Sequence, residues 1–187
     1  MGRWEPGTKE RLQAAALDLF VRQGFEQTTT AEIAGSVGLS ERTFFRHFTD
    51  KREVLFEGQD LFLATFVDGV AAAPPEDTAL EAVAAALDHA ATFFPEDRRE
   101  HARRRQAVIT AHPALREREQ LKLTGLGDAL TGALRARGVP DPEATLAAQL
   151  GLTVFSVAFE QWVAPGAERS LASLQREVMR QLRALTA

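Results

Sequence analysis

Between Thr29 and Lys51 the chain reads TTAEIAGSVGLSERTFFRHFTDK, and this stretch constrains the fold more than any other. Ile33, Ala34 and Val37 recur at helical spacing, Gly38 then interrupts, Leu39 follows, and Ser40 stands where it can cap a second helix running to His47. A glycine reaches the left-handed conformation that closes a helix at little cost, and a serine oxygen accepts an N–H orphaned at the start of the next one. Two short helices around a turn of about three to four residues form a helix-turn-helix. Its second helix exposes Glu41, Arg42, Thr43, Arg46 and His47, a set rich in hydrogen-bonding groups. In such a unit that helix is the one able to enter a DNA major groove.

The flanking sequence supports the same reading. Met1 to Gly7, with Arg3, Trp4 and Pro6, shows no periodicity and reads as a loose arm. Thr8 caps a predicted helix to Gln23 with Leu12, Ala15, Ala16, Leu19 and Phe20 on one stripe, closed by Gly24 and Phe25. Thr29 and Glu32 have capping-box spacing, and Asp50 and Glu53 repeat it at the head of a predicted fourth helix reaching Val70. A unit of about 50 residues has little core, so it is expected to lean on that fourth helix. Pro74-Pro75, Pro95, His112-Pro113, Gly138 to Pro142 and Pro165-Gly166 then divide the remainder into five more helices, beginning near Ala79, Glu96, Ala114, Glu143 and Leu171. Asp141 is expected to cap the helix after the fourth break, with Pro142 in its first turn. No stretch alternates with period two. The expectation is an all-α chain of about nine helices: a helix-turn-helix head over 1–52 and a helical body over 53–187.

Composition narrows the chemistry. Net charge is −4, but residues 1–52 hold eight Lys/Arg against seven Asp/Glu, leaving an acidic remainder. This fits a nucleic-acid contact confined to one end. With no cysteine there is no disulfide, thiol nucleophile or thiolate metal site. The spacing of His89, His101 and His112 matches no metal motif, and neither a GxSxG elbow nor a phosphate-cradling glycine loop occurs, so no enzyme, cofactor or metal chemistry is expected. No apolar run is read as a membrane span and the start lacks a signal-peptide core, which makes the cytoplasm the expected location.

The densest basic run, Arg98-Arg99 with Arg103-Arg104-Arg105, is interleaved with Glu96, Asp97 and Glu100 and reads as a salt-bridged helix face rather than a DNA contact. An acidic ligand could use one of these arginines, and Arg105 is taken as the candidate. Phe62, Phe66, Phe94, Phe155, Phe159 and Trp162 concentrate aromatics on the body helices; they are the remaining candidates for an apolar pocket, set against plain core packing. Ala147, Ala148, Gly151, Ser156 and Ala158 are small and suit a close helix–helix contact between subunits.

The run from the first helix through the Gly38-Leu39-Ser40 turn to Thr43-Phe44-Phe45-Arg46-His47-Phe48 and Lys51 resembles the TetR family of bacterial one-component transcriptional regulators over about residues 10 to 60. The resemblance implies a DNA-binding head, a body that takes a small-molecule effector, a homodimer through the last two helices, and release of a double-stranded DNA operator when the effector binds. It also implies that Thr29 and Thr30 meet phosphate, that Ser40, Glu41, Arg42, Thr43, Phe45, Arg46 and His47 face the groove, and that Lys51 touches phosphate. The family most often carries Tyr where this chain has Phe45, whose ring offers only apolar contact. The rival reading is a helical adaptor that uses the motif for protein contact.

Overall fold

A computed structural model describes residues 7–186; the Arg3-Trp4-Pro6 arm lies outside the described residues. Among these the chain is all-helical: α1 (Thr8–Gln23), α2 (Thr30–Ser36), α3 (Glu41–His47), α4 (Gln59–Ala72), α5 (Ala79–Ala90), α6 (Arg99–Ala111), α7 (Pro113–Ala136), α8 (Glu143–Val163) and α9 (Leu171–Thr186), with three short 3₁₀ turns and no strand.

Local chemistry sets most boundaries. The α1 stripe buries Leu12, Ala16, Leu19 and Phe20, and Gly24 at φ 92° turns Phe25 back onto Phe20 at 5.0 Å between ring centroids. Both halves of the Thr29–Glu32 capping box form, and a second box, Thr78 with Glu81, starts α5. His112 alone separates α6 from α7, as expected of a residue before proline.

Three local expectations are corrected. The predicted fourth helix is split: Asp50 caps a 3₁₀ turn over Glu53–Phe56 by accepting from the N–H groups of Arg52 (2.7 Å) and Glu53 (3.0 Å), and Gly58 at φ 81° resets the chain before α4. Asp141 does not cap α8; its carboxylate accepts from Arg135 and from the Thr145 hydroxyl instead. Helix α8, at 21 residues, is long and apolar enough to cross a membrane by length and composition, which the sequence reading missed. One side of it is spent inside the protein, with Ala144, Ala148, Val154, Ala158 and Trp162 buried, while Leu146 and Val157 stay exposed.

The chain divides into two compact units, residues 1–57 with 104–119, and residues 58–103 with 120–187. In the first, Leu12, Phe20, Ile33, Phe44 and Phe48 form a core completed by Val108, Ile109 and Leu115. The three-helix head therefore gains its missing apolar surface from the end of α6 and the start of α7 rather than from α4. Arg104 pairs with Asp18, Arg105 with Glu119 and Arg118 with Glu53 within this unit.

In the second unit α4, α5, α8 and α9 surround a core holding Phe62, Phe66, Val83, Phe155 and Trp162. Gly69 and Gly151 mark its closest approaches: a Cβ at Gly69 would lie 2.6 Å from the Ala86 Cα, and one at Gly151 2.5 Å from Val83 Cγ1. Ala147, Ala148, Gly151 and Ala158 of α8 thus serve packing within one chain, where all four are buried, and for them the subunit-contact reading is corrected; Ser156 is half-buried. The α9 stripe of Leu171, Leu174 and Val178 is likewise turned inward.

Two consequences can be measured. Gly69→Ala should lower stability by about 1–3 kcal/mol through overpacking of α4 on α5. Gly35→Ala, in α2 with open space around its Cα, should raise stability by up to about 1 kcal/mol, because glycine is the poorer helix former. Urea midpoints decide both. The second consequence concerns acid. Bonds from Thr29 hold the Glu32 carboxylate below its ordinary value of 4.5, and bonds from Thr78 do the same for Glu81. Their folded pKa values lie under the unfolded ones, so the stability they add is complete at neutral pH and is lost as pH falls below about 4.5. The Glu32→Gln/Glu81→Gln pair should show a shallower loss of urea midpoint on acidification than the parent.

Candidate functional site

Helix α3 is built by an inward pair and an outward set. Phe44 and Phe48, four residues apart, are buried with ring centroids at 5.4 Å, which turns Arg42, Phe45 and Arg46 outward. Phe45 is 53% exposed and meets Phe44 edge-on at 5.5 Å. Ser40 caps the helix by accepting the Thr43 N–H at 3.2 Å, and the Ser40 and Thr43 hydroxyls lie 3.0 Å apart. Neither Arg42 nor Arg46 is hydrogen-bonded or ion-paired to another described residue, and the half-buried His47 lies 6.5 Å from the Phe48 ring.

The residues around α3 are committed to holding it. Thr29 gives its N–H and its hydroxyl to Glu32 Oε2 (2.8 and 2.9 Å) and accepts the Glu32 N–H. The Thr30 hydroxyl donates to the Glu41 carboxylate, tying the start of α2 to the start of α3. Arg11, which sequence reasoning did not single out, donates to the Val37 carbonyl at 2.7 Å and closes the end of α2. Lys51 differs most from expectation: its ammonium donates to the carbonyls of Phe25 (2.8 Å), Glu26 (3.2 Å) and Thr28 (3.0 Å) and sits 4.5 Å from the Phe25 ring centroid. Three donors meet three acceptors, so this lysine pins the α1–α2 loop and has no N–H left for a phosphate. Arg42 and Arg46, beside Thr43, Phe45 and His47, are the groups left open to a partner.

In the second unit the nominated aromatics do come together. Phe62 touches Phe66 (5.0 Å), Phe94 (5.3 Å) and Phe155 (5.4 Å), while Phe94 reaches Phe159 (5.3 Å) and Trp162 (5.6 Å). Phe93, not nominated, joins them beside Phe62 and Phe94. The rings pack on one another. Two grooves of this unit, of about 350 and 330 Å³, are lined instead by residues such as Leu80, Leu146 and Leu150, and Leu123, Leu152 and Val157. Arg105 does not join the aromatics: it lies in the first unit, donates to the Leu55 carbonyl at 2.6 Å, pairs with Glu119 and stacks on Phe56, and burial pulls its pKa down. Its assignment to a ligand pocket is corrected accordingly. The rest of the arginine run is spent internally too: Arg98 on the Phe93 carbonyl, Arg99 on those of Ala167 and Arg169, Arg103 on those of Val163 and Ala164, and Arg104 on Asp18. Arg99 and Arg103 thereby satisfy carbonyls at and beyond the C-terminal end of α8.

An all-helical chain with a capped helix-turn-helix and an exposed arginine pair on its second helix defines a DNA-binding transcription regulator. The pattern of the N-terminal domain of bacterial regulatory proteins of the tetR family matches residues 12–57, and that of the MftR C-terminal domain matches residues 77–187. The chain belongs to the TetR family. The HTH-type transcriptional regulator TcmR of Streptomyces glaucescens is 37% identical over 80 residues, which span 43% of this chain and 35% of that protein, so the likeness covers about a third of the relative's length. Two solved structures share the fold over nearly the whole chain. A transcriptional regulator of Rhodococcus has a TM-score of 0.57 and 22% identity over 95% of both chains. Thermus thermophilus FadR, a transcriptional repressor solved with lauroyl-CoA, has a TM-score of 0.52 and 22% identity over 94% of this chain and 93% of its own.

Lys51→Met should lower the urea midpoint of the chain by about 1–3 kcal/mol equivalent, because three carbonyls lose their charged donor. Arg42→Ala, which breaks no hydrogen bond or ion pair among the described residues, should stay within about 0.5 kcal/mol of the parent.

Proposed function

We propose that the protein is a homodimeric repressor that reads a palindromic operator through α3 and leaves it when a small apolar or amphipathic effector enters the body. One observation carries the reading: Arg42 and Arg46 stand one turn apart on a firmly capped helix with their guanidinium groups unspent. Arginine bonds guanine bidentately or meets phosphate, and either contact uses donors that here need not first break an internal pair. Thr43, Phe45 and His47 share that surface, the Phe45 ring offering apolar contact to sugar or a thymine methyl. Thr29, Thr30, Ser40, Glu41 and Lys51 act by holding the helix. In this reading the head works as a DNA-binding domain, the remainder as a ligand-binding and dimerisation domain, and the protein acts in the cytoplasm without cofactor or metal.

Pairing of two chains through α8 and α9 would present two recognition helices to successive turns of the duplex. Support comes from the outer face of α8, where Leu146 is 61% exposed and Val157 39% exposed. The effector reading is supported by the ring-rich core of the second unit and by the lauroyl-CoA carried by the Thermus neighbour of the same fold. An effector shifts operator affinity only by its differential affinity for the two states.

Arg46→Ala should weaken operator binding by about 10- to 100-fold, in line with about 1–3 kcal/mol for a good arginine contact. A mobility shift reads the affinity, and sedimentation should show the dimer unchanged. Parent-like binding by this variant, or an affinity indifferent to salt, overturns the DNA assignment of α3.

A further inference from the structure

The interior of the second unit holds a group of polar atoms that packing alone does not explain. Trp162 is fully buried and its indole Nε1–H has no hydrogen-bond partner. Arg99 stacks on that indole, with its guanidinium carbon 5.4 Å from the ring centroid, and its own Nε–H is also buried without a partner. Arg99 is otherwise engaged: its terminal nitrogens donate to the Ala167 and Arg169 carbonyls and pair with Glu96. Gln175, on α9 in the same unit, is 1% exposed and both atoms of its amide lack partners. Buried indole and amide groups ordinarily find partners, and leaving one unmatched is costly.

Two buried N–H donors without acceptors thus belong to side chains that stack on each other, beside a run of rings. Phe94 lies 5.6 Å and Phe159 5.8 Å from Trp162, and Phe155 continues the run. Phe94 is half-buried at the end of a 3₁₀ turn, and Pro95 follows before a second one, so this segment is the irregular part of the enclosure. Donors without acceptors call for an oxygen. The charge balance says which kind. Arg99 already has Glu96 as its counter-ion, so a second carboxylate would bring an uncompensated negative charge into an apolar core. A neutral carbonyl oxygen satisfies the donors and adds no charge.

We propose that Arg99 and Trp162 form the polar end of the effector site and that the effector is a neutral, ring-bearing carbonyl compound (a ketone, quinone, ester or amide). Its oxygen accepts from the Trp162 indole and the Arg99 Nε, and its apolar rings displace Phe94 and lie against Phe155 and Phe159. This rests on the effector reading above, but binding and operator release are separable.

The test uses the full chain and three probes of matched shape, 2-acetylnaphthalene, 2-ethylnaphthalene and 2-naphthoate. In equilibrium dialysis the ketone should bind about tenfold more tightly than the hydrocarbon, the worth of one well-made buried hydrogen bond, and the carboxylate should bind no better than the hydrocarbon. In ¹⁵N–¹H spectra the Trp162 indole proton, assigned with Trp4→Phe, should move downfield with the ketone and not with the hydrocarbon. Trp162→Phe should cut the ketone's advantage over the hydrocarbon several-fold, the Arg99 donor remaining; the spectra of the parent decide the matter if that variant folds poorly. Tightest binding by the carboxylate, equal binding of ketone and hydrocarbon with the indole proton unmoved, or binding of none of the three overturns the proposal. Ketone binding with the indole shift but no operator release in a mobility shift leaves the site standing and overturns the effector role.

Discussion

The presentation of α3 depends on satisfying the backbone groups that two very short helices leave open. A helix of seven residues has four N–H groups without a partner at one end and four carbonyls at the other, so most of its polar backbone lies outside the internal ladder. Helices this short are marginal alone. Here side chains take up the deficit: Glu32 and Thr29 at the head of α2, Arg11 at its end, Ser40 at the head of α3, and Lys51 on the loop behind. The core then adds direction, because Phe44 and Phe48 can be buried together in only one rotation of α3.

That economy explains why arginine density misleads. The richest basic run, Arg98 to Arg105, is the least available, since each of its guanidinium groups is bonded to a carbonyl or a carboxylate of the same chain. Arg42 and Arg46 are sparse but uncommitted. A guanidinium held by internal partners must give them up before meeting an external anion. The state of the donors, not their number, separates a binding surface from a structural one.

The same distinction marks what the residues alone reveal. Caps and turns depend on neighbours within about four positions, so the Thr29–Glu32 box, the Ser40 cap, the Gly38 turn and the His112-Pro113 break were legible before any coordinates. The family's helix count and the outward set on α3 followed from the same periodicity. Partners far along the chain were not legible. Nothing near Lys51 announces the Phe25 to Thr28 carbonyls, nothing near Arg11 announces Val37, and Val108, Ile109 and Leu115 enter a core built by helices that lie far earlier in the chain. The small residues of α8 show the ambiguity of composition: a smooth helix face admits any close neighbour, and Gly151 is filled by Val83 of the same chain. Arg105 belongs to the first unit by its bonds to Leu55 and Glu119, which its place in the arginine run does not announce.

The ring-filled interior bears on how such a regulator can respond at all. Phe62, Phe66, Phe94, Phe155 and Phe159 already satisfy one another, so a purely apolar guest exchanges ring–ring contacts for ring–guest contacts of similar worth. Such an exchange leaves little free energy to favour one body conformation over another, and a ligand shifts an equilibrium only by what it gains in one state over the other. An unmatched N–H breaks that parity. The Trp162 and Arg99 donors carry an unmet demand that no hydrocarbon answers and that an acceptor oxygen can answer only where the rings give way. The energy that would drive a response then resides in a few polar atoms, while the rings select shape; a core with those donors already paired would be more stable and less able to be switched.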